Sequence, residues 1–191
     1  MTMLNGEDPG GGPRMTPEEF LEKLDRLTIR ATSPDRSVRA VLDMSGTRLE
    51  FGPRGTRGHS ERSLGEQVSA ALEASQHGYQ RAMAMLLEQA APPGSREKQD
   101  VRAPEPRSVE ARYRARLGGI DVQTRSPRGC VKVRRTGTTG VEVEIRPNTL
   151  GHRQFSDADL LAEINAAVGS ADEQYTVKFE VAKADKHRED L

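Results

Sequence analysis

The side chains with most capacity for chemistry in this chain are cations. Arg112, Arg114, Arg116, Arg125, Arg128, Lys132, Arg134 and Arg135 crowd one short stretch. Guanidinium and ammonium groups in such density bind phosphate oxygens, with an affinity that depends on salt and ignores base sequence. From Arg102 to Arg153 there are 12 basic and 5 acidic residues, a net of +7. Gln154–Leu191 carries 4 basic and 9 acidic residues, a net of −5, and the whole chain is formally neutral. Two uses of the basic stretch therefore stand side by side: contact with phosphates, or pairing with the acidic segment that follows it. With no Trp, 3 Tyr and 4 Phe, aromatic platforms for base stacking are scarce. No side chains suggest a base-reading element, so contact with nucleic acid should be backbone-directed. The preference for Arg over Lys, beside plentiful Ala and Gly, is also a common mark of a GC-rich genome.

Other chemistry is thinly supplied. The histidines are His59, His77, His152 and His187. His59 and His152 each follow a glycine in a loop, which reads as a shared turn rather than a base or ligand. No HExxH, Walker or Rossmann pattern occurs, and Gly10-Gly11-Gly12 has no strand before it. Glu18-Glu19 and Asp157/Asp159 are accounted for as acids in first helical turns. Cys130 is alone, which leaves no disulfide, thiolate metal site or redox pair, and its place beside Val131 predicts a small core hydrophobe. The inventory points away from an enzyme and implies no cofactor and no metal.

The elements that position these residues follow from spacing. Val131 and Val133, then Val141, Val143 and Ile145, alternate with charged residues on either side of Thr136–Gly140, which predicts a β-hairpin. Ahead of it, Ser108–Leu117 predicts a short helix stopped by Gly118-Gly119, and Ile120–Thr124 a strand. After it, a helix starts near Ser156. Within that helix Tyr175, Val177, Phe179 and Val181 also alternate strictly, so a strand competes there, and the helix is favoured. In the first half, Thr16 caps a helix opening with Pro17. Ile29–Thr32, Val38–Leu42 and Arg48–Phe51 read as a three-stranded meander. From Ser60 to Ala91 helical spacing is unbroken, with Ser63 and Glu66 as a capping box and Gly78 as a weak point if exposed. Residues 1–15 read as a disordered tail and 92–107 as a Pro-rich linker. No leader is expected in the N-terminal segment, nor a membrane span anywhere.

The halves repeat. Ile29–Pro34 aligns with Val122–Pro127, Val38–Leu42 with Val131–Arg135, Leu49–Pro53 with Val143–Pro147, and Gly58-His59 with Gly151-His152. Leu64, Val68, Ala70 and Leu72 align with Leu160, Ile164, Ala166 and Val168. The expected fold is therefore α+β: two αβββα units, 16–91 and 108–187, each a meander with a long C-terminal helix, paired as a pseudo-dimer.

Strand–Ser-Pro–strand–turn–Gly–strand, then a helix opening Leu-x-x-x-(Val/Ile)-x-x-Ala, resembles the YbaB/EbfC family of nucleoid-associated proteins over Leu27–Gln89 and Arg116–Lys186. The resemblance implies a cytoplasmic, nucleoid-associated protein that dimerises through its sheets and binds double-stranded DNA, and the charge distribution places that contact on the eight cations named first. This chain differs in carrying two units. The alternative is an interaction or scaffold protein that keeps the fold without DNA contact, as relatives accompanying specialised secretion systems do, with itself or another protein as partner.

Overall fold

The computed structural model describes residues 15–91, 108–151 and 155–189. Most of the expected tail and all of the expected linker lie outside them. The element order is α1 (Pro17–Asp25), β1 (Ile29–Thr32), β2 (Val38–Asp43), β3 (Gly46–Phe51), α2 (Glu61–Ala90), α3 (Val109–Gly118), β4 (Asp121–Arg125), β5 (Val131–Thr136), β6 (Gly140–Ile145) and α4 (Asp157–Glu189). The architecture is α+β, with two antiparallel three-stranded sheets, β1-β2-β3 and β4-β5-β6.

The starts of the helices are written in their caps. Thr16 accepts from the Glu19 N–H at 3.1 Å while the Glu19 carboxylate accepts from the Thr16 N–H at 2.8 Å. In α2 the cap is Ser60, not Ser63. Ser63 is its third residue and completes the reciprocal pair by accepting from the Ser60 N–H at 2.9 Å. The helix thus begins earlier than the Ser63/Glu66 reading, because two serines satisfy the same orphan donors as a Ser and a Glu. The Tyr175–Val181 segment is helical. Ile164, Ala167, Val168, Ala171, Tyr175 and Ala182 are buried at three-, four- and seven-residue spacings, while Val177 and Val181 are exposed. That burial has the helical period, so the strict alternation does not govern the segment.

Each sheet has one apolar face, formed by Val38, Ala40 and Leu49 in the first and by Val122, Val131, Val133, Val141, Val143 and Ile145 in the second. These residues and the buried faces of α2 and α4 form a single cluster. The arrangement differs from a helix covering its own meander. Helix α2 lies across β1 and β2 of its own sheet and β6 of the other, and α4 lies across β4, β5 and β3. The third strand of each sheet is therefore covered by the other half's helix.

That exchange is specific at the level of single bonds. Asn165 of α4 accepts from the Leu49 N–H at 2.7 Å and donates to the Leu49 carbonyl at 3.2 Å. Ser69, at the corresponding position of α2, accepts from the N–H of Val143, the counterpart of Leu49, at 2.9 Å. The first residues of the two helices correspond as well. The Glu61 carboxylate accepts from the Thr149 N–H at 3.0 Å, and Asp157 accepts from the Thr56 N–H at 3.2 Å. Edge strands present unpaired backbone groups, and here β3 and β6 are closed off by side chains of the opposite half. Gly65 permits the approach, since a Cβ there would stand 2.4 Å from the Val143 carbonyl oxygen. Among the described residues no helix is long and apolar enough to cross a membrane.

Candidate nucleic-acid interface

The eight expected cations lie on α3, on the outer face and turns of the second sheet, and at its covered face. Helix α3 is held by its cap Ser108 and runs beside the end of α4. There Arg112 and Arg116 both reach Glu189, Arg112 at 3.0 Å, and Arg114 pairs with Glu110 one turn back at 3.0 Å. The Lys186 ammonium, at 2.8 Å, and then Arg114 hold Glu110 below the usual carboxylate range, and Arg116 and Arg112 do the same for Glu189.

On the sheet the register decides the pairing. Lys132 stands opposite Glu144 and Arg134 opposite Glu142. The Lys132 ammonium bonds Glu144 at 3.1 Å, and Arg134 grips Asp121 through two nitrogens at 2.6 and 3.1 Å. Arg135 points inward. It is 8 % exposed, pairs with Asp172 of α4, and stacks 4.0 Å over the Tyr175 ring. Arg128 lies 4.0 Å over the Phe155 ring, and Arg125 is exposed with no carboxylate partner among the described residues. Six of the eight thus hold carboxylates of the same chain. The acids of the last helix account for three of them, and α3, β4 and β6 supply the rest.

The turn between β4 and β5 is fixed from below by Glu163, a buried carboxylate. Burial pushes it up, but hydrogen bonds from Ser126, the Arg128 N–H and the Cys130 thiol outweigh this and hold it below the ordinary range. Cys130 is fully buried, and burial raises its thiol. It packs as the small hydrophobe expected of it. His59 bonds Asp35 at 3.2 Å and Ser63 at 3.3 Å, inside a turn. His152 lies outside the described residues. No group of three metal-ligating side chains occurs among the described residues.

Counting charge along the chain misses where positive charge is left over. Among the described residues the arginines with neither a carboxylate partner nor a ring contact are Arg30, Arg36, Arg54, Arg57, Arg81, Arg125 and Arg146. Four of these seven belong to the first sheet and its loops. Arg30 lies on the outer face of that sheet with Arg39 and Arg48, which share Glu50 at 3.9 and 3.8 Å. Arg36 is in the β1–β2 turn, and Arg54 and Arg57 are in the loop from β3 to α2. Two depressions, of about 830 and 570 Å3, meet at the Glu50–Pro53 segment. Arg36 and Arg39 line the larger, and Arg54 and Arg57 the smaller. The aligned halves carried a usable signal here, since Arg36 corresponds to Gly129 and Arg57 to Leu150, while Arg54 is an extra residue.

No family model, curated protein or solved structure matches this chain.

Proposed function

We propose that the two halves are duplicated αβββα units docked as a pseudo-dimer, and that the protein binds duplex nucleic acid by its phosphate backbone with little sequence specificity. The observation that carries this reading is the set of arginines without carboxylate or ring partners among the described residues, gathered mainly on the first unit. An ion-paired cation must give up its carboxylate to take a phosphate, whereas an unpaired one gives up only water and counterions. Phe51, half-buried, is the aromatic side chain along this surface among the described residues, and a single ring makes no platform for successive bases, which favours a duplex over a single strand. The expected family role, a cytoplasmic nucleoid protein that is not an enzyme, agrees with this reading. Fluorescence anisotropy with two mixed-sequence DNA duplexes of equal length and unrelated sequence tests it. Equal affinities at about 50 mM salt support it. No binding to either duplex, or strong preference for one, refutes it.

A second reading, a scaffold that binds protein, is favoured by one observation. Met85 and Leu87 on α2 and Val177 and Val181 on α4 are large apolar side chains left more than half exposed. Exposed apolar patches mark protein-interaction sites. A solution mass above 21.0 kDa that drops to the monomer value on Leu87→Glu plus Val181→Glu would support self-association through these helices.

A further inference from the structure

We infer that the phosphate backbone is seated at one end of the first sheet, in the channel around Gly52-Pro53, with Arg36, Arg54 and Arg57 as its contacts together with Arg39, whose exposed pair with Glu50 is long at 3.9 Å. This rests on the duplex-binding reading and adds the site.

The argument begins with Arg36. Its φ is +64°, in the left-handed region that glycine adopts freely and a residue with a side chain occupies at a cost. The corresponding residue of the other half is Gly129, at φ +65°. The turn does not need the arginine side chain. Its backbone N–H donates to the Ser33 carbonyl at 2.9 Å. The turn is otherwise held by Asp35, whose carboxylate accepts from the Ser33 hydroxyl at 2.8 Å and from the Ser37 N–H and hydroxyl at 3.0 and 2.8 Å. The guanidinium is exposed and has no carboxylate partner among the described residues. An arginine held where the backbone favours glycine, and giving nothing back to the fold, is explained by something it binds outside.

The neighbouring differences between the halves point the same way. Arg54 is inserted in a loop whose counterpart lacks the residue, and Arg57 replaces the counterpart's Leu150. The acids nearby are already engaged. Glu50 sits between Arg39 and Arg48, and Asp157 accepts from the Thr56 N–H and hydroxyl. Phe51 and Leu161 are the main apolar side chains along the channel, and both are half-buried. A protein partner would need exposed apolar anchors at the centre of its interface. A chain of phosphates needs only donors spaced along a groove.

The test is the salt dependence of duplex binding by the full chain. Four phosphate contacts give a slope of log K against log salt of about −3.6. Arg36→Gly should weaken that slope by about 0.9 while raising the unfolding midpoint by about 2–4 °C, because glycine suits the backbone. Arg36→Gly with Arg54→Ala and Arg57→Ala should leave a slope of about −0.9. Removing equal charge elsewhere, with Arg26→Ala, Arg62→Ala and Arg188→Ala, three exposed arginines paired within their own helices or just beyond them, should leave the slope as in the wild type. If the wild type binds and the triple variant keeps its slope, the site is wrong and the duplex reading survives. If the wild type does not bind, the duplex reading itself fails. A fall in the midpoint on Arg36→Gly makes Arg36 a structural residue and overturns the inference. Competition by polyglutamate at lower concentration than duplex would assign the channel to an acidic protein, and overturns it too.

Discussion

Replacing Asn165 by Ala is the sharpest perturbation of the contact between the halves. Leu49 is 2 % exposed, and its N–H and carbonyl both end on the Asn165 carboxamide, at 2.7 and 3.2 Å. Each backbone group stranded inside a protein costs about 1–3 kcal/mol. Asn165 is itself half-buried, so water reaches part of the vacated space and the lower end applies. The expected loss is about 2 kcal/mol. Ser69→Ala strands one N–H, that of Val143, and should cost about 1 kcal/mol. The bond from its hydroxyl to the Gly65 carbonyl, at 2.9 Å, adds nothing the helix requires. The two sites share no partner, so the double variant should lose about 3 kcal/mol. Urea denaturation followed by far-ultraviolet circular dichroism and by tyrosine fluorescence reads this directly. With a urea slope of about 2 kcal/mol per M, Asn165→Ala should lower the midpoint by about 1 M. Tyr79 lies in the first half and Tyr113 and Tyr175 in the second. Since each long helix spans both sheets, both signals should move together in one transition. An unchanged midpoint, or a transition that splits with only one phase moving, refutes the mutual closing of β3 and β6.

Three further outcomes are expected. Gly65→Ala should cost about 1–3 kcal/mol in the same urea assay, because the new methyl would meet the Val143 carbonyl oxygen at 2.4 Å and lift α2 from β6. Gly78→Ala should not deliver the ~1 kcal/mol that Ala normally gains over Gly in a helix, since its Cβ would stand 2.7 Å from the Ile29 Cγ2. The gain should return in an Ile29→Ala background, and its appearance in the wild type would contradict the close approach. The Glu163 carboxylate is held below its usual value of 4.5, so the stability it contributes is full above that pH and is lost as pH falls through the lower, folded value. Glu163→Gln should therefore lower the melting temperature at pH 7 and flatten its decline into acid. An equally steep acid decline in the variant would contradict this.

The elements were legible because their apolar spacing is regular and their caps are local. Thr16 and Glu19, or Val131 and Val133, are close enough in the chain for a pattern to show them. The meeting of the halves was not legible. Asn165 bonds a residue 116 positions away, and Ser69 one 74 away, and nothing local marks either as more than a polar residue on a helix. The alignment of the halves held part of the answer, since it sets Ser69 against Asn165, Glu61 against Asp157 and Arg36 against Gly129. The charge count failed for a different reason. It sums along the chain, whereas charges cancel across it. The hairpin that puts Val131 opposite Ile145 also puts Lys132 opposite Glu144, and with Asp121 on the same sheet and the acids of α3 and α4 beside it the most basic segment is largely neutralised. The first sheet lacks that compensation: Arg39 and Arg48 share the single Glu50, and Arg30 has no acid opposite it.

The central claim is that exposed arginines of the first sheet and its loops hold duplex nucleic acid by its backbone. The most direct measurement is the affinity of the full chain for a mixed-sequence DNA duplex between about 50 and 200 mM salt. Four contacts predict a fall of about 150-fold over that range. Absence of binding at the lower salt, or an affinity that stays constant across the range, would contradict the account.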